Sequence, residues 1–375
     1  MNKKTRAIAA IAIPIAIALF GTACGGADSA NTASDADIQA GITTAQAVLA
    51  DGSKNVTEVN APSTSPAIEK NKFVVTIPCS YAAEGCKRSV DGFADAAKQV
   101  GWRTQNIDPA GDPEKMRQAI QTATRLHADG ILLAATPPSS VRTAVDQAKA
   151  AGIKVINSLE PPNDLFDANA TTDHLAAGRV SAAYTTVASN GRAKIIAVND
   201  PEFQSVSDWY KGFTDGLKEF CPGCQVVKEI EFQIANLQTQ LPTQFQAALQ
   251  ANPDADFVWS AYDPVAAAIA PVIERSPSAG KITIVSNNGD SFALSDIKAG
   301  DKPLSATVAY PIEWQSYVAL DQMNRLFAGQ PVENTVNVPI KLMTKDDITT
   351  IPWNGDVDWK SAYLDLWHVN GASSQ

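Results

Sequence analysis

The cysteines are the residues of this chain whose spacing most clearly implies chemistry. Four of the five form two close pairs, in the stretches CSYAAEGC and CPGC, and Cys24 has no neighbour to pair with. Cysteines of an exported protein favour disulfides, so we predict the bonds Cys79–Cys86 and Cys221–Cys224. A redox role for CPGC is the alternative. It is disfavoured because redox motifs of this type open a helix after a strand, and this one follows the helix-like YKGFTDGLKEF.

The N-terminus carries the pattern of an export signal. Three basic residues precede fourteen uncharged residues, Ala7–Phe20, a run too short for the ~30 Å hydrocarbon core of a bilayer but suited to a secretory signal. The small residues before Cys24 resemble the bacterial lipobox, although Gly21 stands where that pattern usually has Leu. We therefore predict a signal peptide over residues 1–23 and a lipidated Cys24 that anchors the protein on the outer face of the cytoplasmic membrane. An ordinary signal peptide with an incidental cysteine is the alternative.

The charge of the chain argues against a nucleic-acid partner. The formal net charge is −10 at pH 7, and removal of residues 1–23 takes away three positive charges and no negative one, which leaves −13. Nucleic-acid phosphates need a basic face. No later stretch reaches ~18 apolar residues, so no second membrane-spanning segment is predicted.

Neither catalysis nor a metal site is indicated. The chain lacks the G-x-S-x-G, H-E-x-x-H, phosphate-loop and G-x-G-x-x-G motifs. The three histidines, His127, His174 and His368, are scattered, and no second ligand pair accompanies the cysteines. We predict a binding protein without enzymatic activity or cofactor.

The segment between the predicted signal peptide and the body has the composition of a tether. Residues 24–71 are rich in Ala, Ser, Thr, Asn, Asp and Pro, which bury little surface. The stretch DADIQAGITTAQAVLADG within it could form one short amphipathic helix. We predict a flexible tether that holds a folded body away from the membrane.

From residue 72 onward, strand-like runs alternate with helix-like segments. KFVVTIP, DGILLAA and IKVINS are separated by helical stretches such as CKRSVDGFADAAKQVG, and the alternation restarts after residue 172 with RAKIIAVND, ADFVWSAYD and KITIVSNNGD. Strands that alternate with helices of about ten or more residues form parallel βαβ units. The pattern predicts an α/β protein with two doubly wound, Rossmann-like lobes.

The succession of these segments resembles a known family. FVVTIP, DHLAAGRVSA, KGFTDGLKEF, KITIVSNNGD and LSATVAYP follow one another as in the type I periplasmic binding proteins of the ribose and sugar group, over residues 72–345. The resemblance implies a three-segment hinge, with residues 72–172 and 311–341 in the N-terminal lobe and residues 173–310 and 342–368 in the C-terminal lobe. It also implies that one small molecule binds in the cleft and is delivered to an ABC permease and its ATPase. We expect a monomer.

The ends of the strands select the candidate ligand contacts, because ligands of open α/β sheets lie beyond the carboxyl ends of the strands. The candidates are the polar and aromatic residues of these loops: Ser80, Tyr81, Asn157, Ser158, Glu160, Phe203, Gln204, Trp209, Phe232, Tyr262, Asp263, Asn288 and Tyr310. Several have a structural alternative as loop, turn or core residues. Asp263 precedes a proline at a predicted helix start, so we favour a helix cap for Asp263 and ligand contact for Tyr262. Tyr310 either faces the ligand or locks the hinge.

The chain departs from the sugar-binding pattern in one direction, from charged to neutral contacts. Residues 158–160 read Ser-Leu-Glu where the ribose-type family carries an Asp-Arg pair, and Ser207 or Trp209 stands nearest to an expected arginine. Asn288 occupies the position of a family aspartate. We therefore predict a neutral, hydroxylated ligand, such as a sugar, polyol or glycoside, and allow one larger or more apolar than a pentose. Ribose itself and anionic ligands are disfavoured.

Two other functions are compatible with the same fold. A transcription repressor of the lactose-repressor type would need a basic helix-turn-helix ahead of the body, where this chain has an export signal and a tether. A ligand sensor that presents its bound molecule to a membrane receptor stays open as the alternative to transport.

Overall fold

The computed structural model describes residues 33–332 and 337–369. The predicted signal peptide, Cys24 and the first residues of the predicted tether lie outside the described residues. The elements up to residue 172 are α1 (Asp35–Gly52), β1 (Phe73–Pro78), α2 (Glu84–Gln99), β2 (Arg103–Asn106), α3 (Pro113–Arg125), β3 (Gly130–Ala134), α4 (Pro138–Ala150), β4 (Lys154–Ser158) and β5 (Ala168–Thr172).

The second half repeats the alternation of strands and helices. Its elements are α5 (His174–Ala188), β6 (Lys194–Asn199), α6 (Gln204–Phe220), β7 (Gln225–Glu231), a 3₁₀ turn (Ile234–Asn236), α7 (Leu241–Ala251), β8 (Phe257–Ser260), α8 (Asp263–Glu274), β9 (Thr283–Asn288), α9 (Ser291–Ala299) and β10 (Leu304–Ala309). The last elements are α10 (Ile312–Phe327), β11 (Asn337–Val338), β12 (Lys341–Met343) and α11 (Trp359–Leu366).

Strand pairing divides the described residues between two six-stranded sheets. The first sheet has the order β11-β5-β4-β3-β1-β2, and all its neighbours are parallel. The second has the order β12-β10-β9-β8-β6-β7, and there β12 runs antiparallel to β10. Parallel neighbours require crossover connections, which the helices supply. The predicted fold class, two doubly wound α/β lobes, is confirmed.

Strand β1 shows why each sheet is covered on both faces. Phe73, Val75 and Ile77 belong to one hydrophobic core, whereas Val74 belongs to another core together with Phe93 of α2. Successive side chains of a strand point to opposite faces of the sheet. The run FVVTIP is therefore apolar on both faces because helices bury both.

The chain passes between the two sheets at three places in the body. β5 leads into α5 of the second lobe, β10 leads back into α10, and β11 leads to β12. Helix α10 belongs to the first lobe, where Gln315 Nε2 donates to the Ala170 carbonyl oxygen at 2.5 Å and Ser316 Oγ donates to the Ser89 carbonyl oxygen at 2.9 Å. No helix among the described residues combines the length and apolarity needed to cross a membrane.

The prediction of a flexible tether over residues 24–71 is wrong for residues 33–71, the part that the structure describes. Helix α1 packs on α5 and α6 so closely that a Cβ atom on Gly41 would lie 2.2 Å from the Phe220 carbonyl oxygen. Farther along, Ser65 Oγ donates to Asp321 Oδ1 of α10 at 2.5 Å. Small residues bury little surface individually, but they let a helix approach its neighbour closely, and composition alone does not reveal that.

The assignment of residues 342–368 to the C-terminal lobe is wrong for α11. Helix α11 returns to the N-terminal lobe and packs on α10. The Tyr317 ring lies edge-on to Trp359, with centroids 5.0 Å apart, and stacks on Trp367, with centroids 5.5 Å apart. The aromatic side chains of α11 thus bury their area against the first lobe.

Candidate ligand-binding cavity

The loops that follow the strands of both sheets enclose a cavity of about 330 Å³. The N-terminal lobe contributes the loops after β1 to β4, and the C-terminal lobe contributes those after β6 to β10. Doubly wound sheets place their ligands at this edge. Because two such edges face each other, a molecule in the cavity would contact both lobes.

The candidate residues divide into two groups. Six line the cavity: Ser80, Phe203, Trp209, Tyr262, Asn288 and Tyr310. Seven lie outside its wall: Tyr81, Asn157, Ser158, Glu160, Gln204, Phe232 and Asp263. A larger share of the aromatic candidates than of the polar candidates lines the cavity. Most of the polar side chains instead form hydrogen bonds with other protein groups.

The polar side chains at the end of β4 are engaged inside the N-terminal lobe. Asn157 Nδ2 donates to the Thr136 carbonyl oxygen at 3.0 Å. Ser158 Oγ shares a 2.7 Å hydrogen bond with Ser89 Oγ of α2. Both candidates are fully buried and tie the strand end to its neighbours, so we do not retain them as ligand contacts.

Two further candidates are engaged near the surface. Tyr81 Oη donates to Asp91 Oδ1 at 2.8 Å. Gln204 is exposed, and its Nε2 donates to Asp208 Oδ1 at 2.8 Å. These hydrogen bonds turn Tyr81 to α2 and Gln204 to the next turn of its own helix, α6, instead of to the cavity.

Tyr262 stands in the cavity wall with its hydroxyl group held in place. Tyr262 Oη donates to Asp200 Oδ2 at 2.8 Å. The Phe232 ring lies behind it, with centroids 6.2 Å apart, so Phe232 supports the wall without forming it. Burial raises the pKa of Asp200 to about 7.

Asn288 and Tyr310 form a fixed pair in the wall. Tyr310 Oη donates to Asn288 Oδ1 at 3.1 Å, and Asn288 Nδ2 has no hydrogen-bond partner among the described residues. The φ angle of Asn288 is 114°, in the range that favours glycine and that asparagine tolerates better than most residues. The oriented amide leaves an N–H donor for a ligand oxygen.

The helix cap predicted for Asp263 is wrong. Asp263 is the first residue of α8, and its carboxylate accepts hydrogen bonds from Asp290 N and Thr307 Oγ1, both at 2.8 Å. These contacts connect α8 to β10 and to the start of α9. Burial raises the pKa of Asp263.

Two glutamates of the N-terminal lobe bind helix N-termini of the C-terminal lobe. Glu160 accepts hydrogen bonds from Ser205 Oγ at 2.7 Å and from Ser205 N at 3.1 Å, at the start of α6. Glu84 Oε1 accepts from Ser291 N at 2.8 Å, at the start of α9. Neither helix has a side-chain cap of its own at its N-cap residue. We name these two contacts the interlobe caps, because each satisfies helix N–H groups from the opposite lobe.

Arg88 of α2 is the buried cation beside the cavity, and it also bridges the lobes. Its guanidinium donates to both Glu313 carboxylate oxygens, at 2.9 and 2.7 Å, and to the Gly289 carbonyl oxygen at 3.3 Å. A further bond reaches Asn354 Oδ1 at 2.9 Å. The cation is therefore neutralised within the protein and does not line the cavity.

Both predicted disulfides are present. Cys79–Cys86 joins the loop after β1 to the first turn of α2, with Cα atoms 5.9 Å apart, and forms part of the cavity wall. Cys221–Cys224 closes the turn that follows α6, away from the cavity. The first bond constrains the loop that carries Ser80.

The apolar part of the wall was not among the candidates. Among its members are Ala83, Ala110, Ala135, Leu159, Val206 and Ile234. The residue type of an aliphatic side chain does not indicate a ligand contact in a sequence. Its position can: Ala135 directly follows β3, and Leu159 directly follows β4. Among the described residues, no Asp, Glu, His, Lys or Arg lines the cavity, and no group of three His, Cys, Asp or Glu side chains could hold a metal ion.

Comparison with known proteins agrees with this architecture. A family model described as a periplasmic binding protein domain matches residues 73–331. The ribose import binding protein of Bacillus subtilis (strain 168) is 25% identical over 262 residues, which are 68% of this chain and 81% of that protein.

Solved structures share the fold. An ABC transporter solute-binding protein from Burkholderia graminis C4D1M, in complex with D-arabinose, is 21% identical with a TM-score of 0.68, over 76% of this chain and 99% of that chain. An ABC transporter solute-binding protein from Mycobacterium smegmatis with bound glycerol is 19% identical with a TM-score of 0.68, over 78% of this chain and 100% of that chain. Since the family model covers most of the body and both lobes have the matching topology, the chain belongs to the periplasmic binding protein family, whose members are extracytoplasmic solute-binding proteins of sugar ABC transporters and not enzymes.

Proposed function

We propose that this protein is the lipid-anchored, monomeric solute-binding component of an ABC importer and that it captures a neutral hydroxylated small molecule, such as a sugar, polyol or glycoside. The observation that carries the proposal is the cavity between the two lobes, whose described wall contains aromatic rings, an amide donor and no ionised side chain. Neutral donors and acceptors satisfy hydroxyl groups without the desolvation cost of a buried charge.

Ligand binding and lobe closure are coupled in this proposal. A ligand that contacts both walls stabilises only the conformation in which the lobes meet. The interlobe caps and the bond from Arg88 to the Gly289 carbonyl oxygen belong to the same conformation. A permease could then distinguish the loaded protein by its shape.

A thermal-shift screen of neutral sugars, polyols and glycosides tests the ligand class, because a molecule bound only by the folded state raises its Tm. Small-angle scattering with and without the best binder tests closure, and we expect a smaller radius of gyration with ligand. Identical dimensions in both samples would contradict the hinge mechanism.

Asn288→Gly tests the wall directly. Glycine suits the positive φ angle but removes the amide donor and leaves the buried Tyr310 hydroxyl group without its acceptor, so we expect binding weaker by about tenfold and a lower Tm of the free protein. The control is Asn190→Gly, an exposed turn position with φ 53°. Unchanged affinity in Asn288→Gly would remove Asn288 from the site.

The lipid anchor and the importer role need experiments in cells. Cys24→Ala should move the protein from the membrane fraction to the soluble fraction, and a variant that stays on the membrane contradicts lipid anchoring. Deletion of the gene should abolish uptake of the labelled ligand. Persistent uptake combined with a lost transcriptional response to the ligand would favour the sensor function.

A further inference from the structure

Four ionisable side chains beside the cavity are engaged by protein groups. Glu160, Asp200 and Asp263 accept hydrogen bonds from protein donors, and Arg88 donates to protein acceptors. Asp290 is fully buried outside the wall, where burial raises the pKa of its carboxyl group. Charged, bidentate groups are the strongest partners for clustered hydroxyls. The cavity of about 330 Å³ offers none of them to a polyhydroxylated ring, and the acidic side chains Asp112 and Glu202 line an adjoining cavity of about 150 Å³.

The polar side chains of the wall are few and all of them are neutral. Asn288 Nδ2 and the Gln238 amide have no hydrogen-bond partner among the described residues, whereas the Trp209 indole N–H is buried behind the wall and is not exposed to a ligand. Ser80 Oγ already accepts from Ala82 N at 3.3 Å. The Gln238 carbonyl oxygen is a free amide acceptor, and the hydroxyl oxygens of Ser205, Tyr262 and Tyr310, which donate to protein oxygens, keep lone pairs as neutral acceptors. A ligand hydroxyl group therefore meets neutral acceptors here and no carboxylate.

The remaining wall is aliphatic on both sides. Ala135 and Leu159 come from the N-terminal lobe, and Val206, Ile234 and Leu237 come from the C-terminal lobe. Leu159 adopts φ 69°, a conformation that Gly, Asn and Asp adopt more readily. The backbone at the end of β4 would thus accept a polar residue, but an apolar side chain stands there.

We propose, building on the proposed solute-binding function, that the ligand is a cyclic alcohol whose surface is mostly hydrocarbon and which carries one or two hydroxyl groups. The cavity volume of about 330 Å³ lies at the small end of the range for ligand sites, about 300–1,000 Å³, and suits a molecule of one or two rings. Each further hydroxyl group that is buried without an acceptor weakens binding by about tenfold, because its hydrogen bond to water is lost and not replaced.

The test uses one six-membered carbon ring with increasing numbers of hydroxyl groups: cyclohexanol, trans-1,2-cyclohexanediol, cis,cis-1,3,5-cyclohexanetriol and myo-inositol. Isothermal titration calorimetry measures the dissociation constant of the mature protein for each compound, and ribose and glucose are titrated in parallel. We expect the tightest binding for the alcohol or the diol and affinity that falls by about tenfold per added hydroxyl group.

Each outcome of this series has a defined meaning. Tighter binding of myo-inositol, ribose or glucose than of the alcohol and the diol overturns the inference and leaves the proposed solute-binding function intact. Failure of both less hydroxylated rings to bind also overturns it. If neither these compounds nor any neutral solute of the thermal-shift screen binds, the proposed function fails as well.

Leu159→Asn tests the apolar wall, because asparagine has nearly the same size and suits φ 69°. We expect the variant to weaken binding of the diol and to shift the preference toward myo-inositol by about tenfold. Leu126→Asn, at an exposed leucine, is the control. Ala135→Ser adds a hydroxyl group to the wall with less change in volume and replaces Leu159→Asn if that variant does not fold. An unchanged preference in the folded variant contradicts the inference.

Discussion

The buried carboxyl groups around the cavity are satisfied by neutral donors and not by cations. Asp200 accepts from the Tyr262 hydroxyl group, and Glu160 accepts from the hydroxyl group and the amide of Ser205. Without a positive partner, burial dominates and raises the pKa of both carboxyl groups to about 7. Their protonation therefore changes near neutral pH.

The raised pKa values predict that folding stability falls as the pH rises from about 4 to about 7, because the folded state binds more protons than the unfolded state in this interval. Lowered pKa values act in the opposite direction: that of Asp215, at about 2, does so at lower pH, and that of the buried His174, lowered from 6.5 to about 3, does so up to about pH 6.5. The raised pKa values of Asp200 and Glu160 outweigh the single histidine. We expect a lower urea midpoint at pH 8 than at pH 5, and Asp200→Asn should reduce the difference. An equal or higher midpoint at pH 8 would contradict this assignment.

Tyr262→Phe isolates the hydrogen bond to Asp200. The ring stays in the wall, but the buried carboxyl group loses its donor, so we expect a loss of about 1–3 kcal/mol in the free energy of unfolding. Urea denaturation measures the loss. The matched control is Tyr210→Phe, whose hydroxyl group donates to Glu229 Oε2 at 2.9 Å at a more exposed position and should cost less. Equal losses in the two variants would show that burial of the pair does not matter.

At the scale of elements, the first N–H groups of helices α6 and α9 are bound by side chains of the opposite lobe. Among the described residues, no side chain of their own lobe caps them. Their N-cap residues, Phe203 and Asp290, make no capping hydrogen bond, and Glu160 and Glu84 supply the carboxylates. A carboxylate at a helix N-terminus is favoured by the helix dipole as well as by hydrogen bonding. Separation of the lobes would leave both helix starts to water.

The interlobe caps predict that Glu84→Ala and Glu160→Ala favour separated lobes. Loss of a cap costs about 0.5–2 kcal/mol, which corresponds to ligand binding weaker by about twofold to thirtyfold per cap. Scattering of the free protein should show a larger radius of gyration in the double variant. Glu114→Ala, in the first turn of α3 within one lobe, is the control. Wild-type affinity and dimensions in the double variant would rule out a role in closure.

At the scale of the whole molecule, one buried lysine joins three distant parts of the chain. Lys341 Nζ of β12 donates to Asn55 Oδ1 at 2.6 Å and pairs with Asp356 Oδ2 at 3.1 Å. Asp356 also accepts from Val56 N at 2.9 Å and from Trp353 Nε1 at 3.0 Å. The N-terminal segment, the third crossing and the C-terminal segment therefore meet at this lysine.

Lys341→Met should destabilise the whole protein, because it leaves the partly buried Asp356 carboxylate without its cation. We expect a loss of about 2–4 kcal/mol in the free energy of unfolding. Lys302→Met, which removes an exposed pair with Glu274, should cost less than about 1 kcal/mol. Calorimetric melting of both variants measures the contrast. Similar Tm values would mean that Lys341 does not tie these segments together.

The fold was more predictable than the site. Strand runs such as FVVTIP and the alternation with helices are local patterns, and they predicted both sheets. Candidates such as Ser158 and Gln204 failed to reach the cavity because neighbouring side chains compete for polar groups. Leu159 and Ala135 line the cavity because each directly follows a strand, and their residue types gave no indication of this. The packing of α1 and α11 was not predicted, because neither the small residues of α1 nor the aromatic residues of α11 indicate in the sequence which helix they contact.

By itself, the sequence determined the class of fold and the two disulfide pairs, since these depend on periodicity and local spacing. Tertiary structure decided which side chains face the cavity, that Glu160 meets Ser205, and that both terminal segments pack on the body. Each of these contacts joins groups that are far apart in the chain. Only the three-dimensional arrangement of the two lobes brings such groups within hydrogen-bonding distance.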